Sequence, residues 1–285
     1  MSNRLKAYNA IYKILDSENL NLLYKPSNTC FDLILSLLDI NIYSSVGRDT
    51  DHYYDAYLTS SIIEHSNTRN QILLNYGIPD VLCFHNFLPS KFKKEDLYIL
   101  KKSSALNHKI FFHNTIQHSW SIKDKLSFNI LYGIPNAPVE SVIHKKSVVI
   151  LNLNNNNNLN TLYQFIKNIF KDAEMITDVS SFSYQELIDK LSGFYICLEN
   201  DSMINCLIAA YAGCYIVSTL PTIEDINGLF NIVDYTQIID QIKYLLSSNI
   251  KISDKQTLLD KYSFDRFSLQ FIKCLKQIKK VPPLL

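Results

Sequence analysis

One stretch concentrates the residues that could do chemistry, Cys197-Leu-Glu-Asn-Asp-Ser-Met-Ile-Asn-Cys-Leu-Ile-Ala-Ala-Tyr-Ala-Gly-Cys-Tyr-Ile-Val-Ser-Thr219. Glu199, Asn200, Asp201, Ser202 and Asn205 bring carboxylate, amide and hydroxyl groups together just ahead of an apolar run. Asp201 or Ser202 can cap a helix starting at Met203 by accepting from its unpaired backbone N–H groups. Such a helix start carries partial positive charge and free donors, which suit a phosphate. An ordinary strand, cap, helix and strand with no ligand accounts for the same residues. Two histidines stand apart from this stretch. His85 and His113 each end an apolar run and each is followed by an asparagine, Asn86 and Asn114. A histidine so placed can hydrogen-bond a hydroxyl or take its proton as a general base. It can equally bond a backbone carbonyl and do no chemistry. Thr115 and His118 add polar groups near His113 and make it the better catalytic candidate.

Other clusters are weaker. Asp49, Asp51 and His52 lack the spacing of a calcium loop and read as a solvated turn. The six cysteines are scattered at 30, 83, 197, 206, 214 and 274. None falls in a CxxC pair or a zinc spacing, so no metal site is expected, and reduced, core-forming thiols in a cytoplasmic protein are. Trp120, Tyr53, Tyr54 and Tyr57 could stack on a sugar, but aromatics more often fill cores.

Positioning these groups requires elements, and the chain alternates helices with short apolar runs. Helices are expected at Arg4–Ser17, Asn67–Tyr76, Leu97–Leu106, Leu159–Phe170, Tyr184–Leu191, Met203–Ala212, Asp234–Ser247 and Asp254–Lys279. Strands are expected at Asn41–Ser45, Val81–His85, Lys109–His113, Phe128–Tyr132, Ser147–Leu151, Ala173–Thr177, Phe194–Leu198 and Cys214–Ser218. Thr29–Leu38 fits a helix or a buried strand. Such alternation implies an α/β fold with parallel sheets covered by helices. The stretch Pro135–Lys146, with its two prolines, reads as a linker between similar halves, 1–140 and 141–285. Two Rossmann-like domains facing each other are the simplest architecture, and one continuous doubly wound domain is the alternative. Ligands of open α/β sheets bind outside the carboxyl ends of the strands. Here those ends are His85–Asn86, His113–Asn114, Tyr132–Gly133, Asn152–Asn158, Glu199–Ser202 and Thr219–Glu224.

Composition narrows the partners. The 285 residues carry 28 Lys+Arg and 27 Asp+Glu, a formal net charge of +1. Coating of nucleic acid or of an anionic membrane needs a basic excess that this chain lacks. Arginine is confined to Arg4, Arg48, Arg69 and Arg266, so the forked donor suited to phosphate is scarce. No apolar run approaches the roughly 20 residues of a membrane span, and the N-terminus lacks the apolar core of a secretory signal. With 47% hydrophobic and 19% charged residues the chain can bury a core.

The stretch Leu207–Thr219, LIAAYAGCYIVST, resembles the donor-side signature of GT-B glycosyltransferases, in particular the retaining family 4-like group that reads roughly LEAMACGxPVVAT. Ala212-Gly213, the strand Tyr215–Ser218 and Thr219 match, and Glu224 is similar to a downstream acidic position. Gly77–Asn86 resembles the family's PDVVHxHN strand end. His113-Asn114-Thr115 resembles a second strand end of the N-terminal domain, and Leu131–Pro135 the approach to the interdomain linker. The resemblance implies an acceptor-side N-terminal domain and a nucleotide-sugar-side C-terminal domain, with terminal helices packing back across the junction. It implies metal-independent sugar transfer, with the nucleotide-sugar as substrate and no cofactor. It places the donor against Glu199, Asn200, Ser202, Asn205, Thr219 and Glu224. It places an acceptor, whose identity is open, against His85, Asn86, His113 and Asn114. The sequence also departs from the family. Asn200 and Ile208 stand where it has two glutamates eight positions apart. Asn152–Asn160 holds neither the Arg nor the Lys that would neutralise a diphosphate; Lys145 and Lys146 are the nearest substitutes in sequence. One lost donor in such a site costs on the order of 3 kcal/mol of transition-state stabilisation. The second expectation is therefore a catalytically inactive protein of this fold, serving as a binding or structural component, for example of a virus particle.

Overall fold

The computed structural model describes residues 20–24, 29–44, 56–59, 81–84, 108–113, 127–140, 142, 145–153, 155–200, 202–218, 229–231, 234–248 and 255–279. The expected helices at 4–17, 67–76 and 97–106 lie outside them, as do the Asp49–His52 turn and Trp120. The fold is mixed α/β with two parallel sheets. The chain forms two compact units. The first comprises Met1–Ser27, Leu38–Tyr132 and Arg266–Leu285; the second comprises Asn28–Leu37 and Gly133–Asp265.

The sheet of the first unit runs β2-β1-β3-β4-β5-β6, all parallel. Its strands are β1 (Asn21–Tyr24), β2 (Asn41–Ser44), β3 (Ala56–Thr59), β4 (Val81–Phe84), β5 (His108–His113) and β6 (Ser127–Leu131). β1 is buried along its length, as a strand paired on both sides and covered on its faces must be. Between β1 and β2 the chain passes through the second unit, where helix α1 (Cys30–Leu35) begins at a Thr29 cap. The ambiguous Thr29–Leu38 stretch is thus a short helix. Thr29 Oγ1 accepts from Phe31 N at 3.3 Å, and Ser36 turns the chain out.

The second sheet runs β11-β10-β9-β7-β8, also parallel. Its strands are β7 (Lys146–Leu151), β8 (Glu174–Ile176), β9 (Phe194–Glu199), β10 (Tyr215–Ser218) and β11 (Leu229–Asn231). The apolar runs Val148–Leu151 and Ile196–Leu198 make β7 and β9 the buried centre. Three further helices alternate with them: α2 (Asn157–Ile169), α3 (Tyr184–Ser192) and α4 (Met203–Tyr211). α3 opens with a capping box in which the Ser183 hydroxyl and the Glu186 carboxylate satisfy each other's backbone N–H groups. α5 (Ile238–Ser247) follows a short 3-10 turn. Val148, Ile150, Ile196, Leu198 and Val217 of the sheet pack with Leu159, Leu162 and Ile166 of α2 and Ile238, Ile242 and Leu245 of α5. The expected final helix is two, α6 (Lys255–Lys261) and α7 (Phe264–Lys279), separated at Tyr262-Ser263. There Ile134 N donates to Tyr262 O at 2.7 Å, and Ile134 and Ser263 form a parallel bridge. Among the described residues no helix is long and apolar enough to cross a membrane.

Candidate functional site

The strand order of the second sheet reverses between β7 and β9: the chain steps from β7 to β8 on one side, then returns to β9 on the other. A reversal of this kind leaves a crevice at the carboxyl edge where ligands of open α/β sheets bind. The register pairs Leu151 with Glu199, so the turn after β7 and the turn after β9 lie side by side. Each leads into a helix, α2 and α4.

The turn after β7 is built by its asparagines. Asn152 is fully buried; its Oδ1 accepts from Asn156 N at 2.7 Å and its Nδ2 donates to Asn160 Oδ1 at 2.8 Å. Asn155 takes a left-handed φ of 51°, a conformation asparagine adopts more readily than most residues. The Asn156 side chain accepts from Asn158 N at 3.0 Å and caps α2. The chemistry of this turn is spent on holding its own backbone.

The turn after β9 is organised by Glu199, whose side chain is wholly buried. Ser202 N donates to both of its carboxylate oxygens, at 3.0 and 2.9 Å. Asn205 Nδ2 donates to Oε1 at 3.1 Å and Cys206 Sγ lies 3.5 Å from Oε2. All these partners donate, as an acceptor-only carboxylate requires. Burial pushes the Cys206 thiol well above its ordinary range and the Glu199 carboxylate pushes it further, so it stays protonated and able to donate. The cap expected from the Ser202 hydroxyl is not made. The Ser202 amide, ahead of the helix, donates to the Glu199 carboxylate, a charged and therefore strong acceptor. Asn205 extends the network: its Oδ1 accepts from Cys30 N at 2.9 Å, joining α4 to the start of α1. Cys30, Phe31, Ile34 and Leu35 of α1 are buried. Burial followed by the Glu199 carboxylate raises the Cys30 thiol far above its usual range.

α4 is buried at every position, Ile208 included. It ends in a paired motif: Gly213 N donates to Ala210 O and Cys214 N to Ala209 O, both at 3.0 Å. Gly213 has φ +91°, which only glycine adopts without strain, so the Ala212-Gly213 pair is explained by helix termination.

Of the donor candidates, the structure gathers Glu199, Asn200, Ser202 and Asn205 within one buried turn and helix start. Thr219 follows β10, the neighbour of β9, and lies outside the described residues with Glu224. His113 is the last residue of β5, paired with Leu131 of β6. β4 ends at Phe84, paired with Phe111 of β5. His85, Asn86 and Asn114 lie outside the described residues. Lys145 and Lys146 sit at the opposite, amino edge, roughly 15–20 Å away along a six-residue strand at about 3.3 Å per residue. They are no substitute for a diphosphate-binding pair at the carboxyl edge. Lys145 Nζ donates to Gly213 O at 3.1 Å, and Lys146 pairs with Glu174. Sequence reasoning missed the role of residues 28–37, because their partner is 175 positions away.

No family model and no curated protein matches the chain. Solved structures do. It is similar to a glycotransferase of kitacinnamycin, at 8% identity over 91% of this chain and 98% of that one, with a TM-score of 0.49. It is similar to UDP-GlcNAc 2-epimerase from Neisseria meningitidis bound to UDP-GlcNAc, at 11% identity over 91% and 100%, with a TM-score of 0.39. A third is an α-glucosyltransferase in complex with UDP and a 13-mer DNA containing an HMU base, at 8% identity over 92% and 100%, with a TM-score of 0.34.

Proposed function

We propose that the chain is a glycosyltransferase-like protein that holds a nucleotide-sugar at the carboxyl edge of its second sheet and passes the sugar to an acceptor hydroxyl. The observation that carries this reading is the reversal of strand order between β7 and β9, which sets two helix-leading turns side by side. The order and spacing of the signature-like segments around α4 support it. In this reading Glu199, Asn200, Ser202 and Asn205, with Thr219 and Glu224 after the next strand, contact the donor. His85, Asn86 and Asn114 hold the acceptor, and His113 bonds its hydroxyl and takes the proton. The site works without a metal ion.

A second reading is favoured by a specific observation. Glu199 is enclosed and its oxygens are occupied by Ser202, Asn205 and Cys206, while Ile208 is core. A chain that kept the fold and lost the transfer would look like this, and would serve as a binding or structural component.

Titration of UDP, GDP and their sugars into the purified protein separates the two. A nucleotide at 100 times its Kd adds about 2.7 kcal/mol of apparent stability. The first reading expects a thermal shift that Glu199→Ala abolishes and Asp51→Ala keeps. Absence of a shift with every nucleotide leaves the second.

A further inference from the structure

Residues 28–37 belong to the second unit although the chain before and after them belongs to the first. Four apolar side chains of α1, Cys30, Phe31, Ile34 and Leu35, are buried there. A polar tie joins it to α4: Cys30 N donates to Asn205 Oδ1, and Asn205 Nδ2 in turn donates to the enclosed Glu199. Asn205 is the third residue of α4, so this tie sits on the helix's first turn. Both ends of the Asn205 amide are taken by the chain itself. A ligand that used Asn205 or Glu199 would have to displace Cys30 or break the Glu199–Asn205 bond.

We propose that residues 29–37 form a strap, fastened to the first turn of α4 by Asn205 and Glu199, that must lift before a nucleotide can reach those two residues. This rests on the nucleotide-binding reading above and adds its regulation. The strap is an internal occupant of the ground where the donor would lie. Apparent affinity falls in proportion to the fraction of molecules with the strap lifted. A strap closed in nine molecules of ten weakens binding about tenfold.

Cys30 reports on the strap and Cys197, in β9, on the second sheet; both thiols are buried. Carboxamidomethylation of the two is followed by peptide mass spectrometry in the full chain. In the wild type both react slowly. Asn205→Ala is expected to speed Cys30 at least tenfold and leave Cys197 unchanged. Equal acceleration of both thiols, or of neither, overturns the strap. If Asn205→Ala does not fold, Phe31→Ala, which loosens the strap without touching the proposed donor contacts, is read in the same way. UDP is the ligand probe: Phe31→Ala is expected to bind it at least tenfold more tightly than the wild type. Equal affinity overturns the gating role. Binding of UDP by neither protein, with Cys30 freed selectively, fells the nucleotide reading and leaves the fastening of the strap standing.

Discussion

A carboxylate with no solvent exposure persists only where donors replace the water it has lost. For Glu199 those donors are the Ser202 amide, the Asn205 amide and the Cys206 thiol. Its position at the start of α4 adds the favourable end of the helix dipole. Removing the carboxylate leaves buried N–H groups without their acceptor, each costing about 1–3 kcal/mol. Glu199→Ala is therefore expected to lower stability by about 3 kcal/mol, read from urea unfolding midpoints. Glu199→Gln keeps an acceptor oxygen but aims an NH2 group at donors, and should lose about half as much. A loss below about 0.5 kcal/mol for the alanine variant, the range of an ordinary surface change, would show that the carboxylate does not organise this turn. The same bonds occupy the oxygens of Glu199, so a ligand that used them would displace part of what stabilises this turn.

At the scale of elements, the tyrosine hydroxyls fix the segment entering the second unit. Tyr211 Oη, on α4, accepts from Ala137 N at 2.9 Å and lies 2.7 Å from Ala137 O and 2.9 Å from Asn136 Oδ1. Tyr184 Oη, on α3, donates to Pro135 O at 3.0 Å. The Pro135–Ala137 part of the expected linker is thus held against two helices. Tyr211→Phe strands the buried Ala137 amide and should cost about 1–3 kcal/mol, with faster hydrogen exchange at Ala137; unchanged exchange there would refute the clasp. The sequence was most legible where apolar runs meet clear stops. Val148–Leu151, Ile196–Leu198 and the helix ended by Gly213 carry their own boundaries. β1, β3 and β11, of four, four and three residues, were not foreseen. The turn at 199–202 stood out because polar residues interrupt an apolar chain. The inward aim of Glu199 did not, since an acidic residue after a strand reads the same whether it faces a ligand or the core. Nor did the asparagine run show that Asn152, Asn155 and Asn156 each have a separate backbone task. The tie from Asn205 to Cys30 spans 175 positions and leaves no local pattern.

At the scale of the whole molecule, acid stability among the described residues involves carboxyls that local hydrogen bonds and lysines hold in the ionised form. Lys146 and then Lys190 bond Glu174 and hold its carboxyl below the usual range. Burial pushes Asp172 up, but the Ser147 hydroxyl and amide outweigh it and bring it below its ordinary value. The Ser180 amide and hydroxyl lower Asp178, and the Ser183 amide and hydroxyl lower Glu186. All four belong to the second unit. A carboxyl depressed in the folded state binds its proton more readily when unfolded. Its contribution is complete above the unfolded value, near pH 4, and disappears as the pH falls through the lower folded value. Urea midpoints should hold steady from pH 7 to 5 and fall between pH 4 and 3. Glu174 is solvent-accessible and its ion pairs are screened, so Glu174→Gln should cost no more than about 1 kcal/mol at pH 7. The variant's deficit should shrink as the pH falls toward 3, since the wild type then loses the same charge. A deficit that grew on acidification would reverse the sign of the linkage and place the stabilising role of Glu174 in its protonated form.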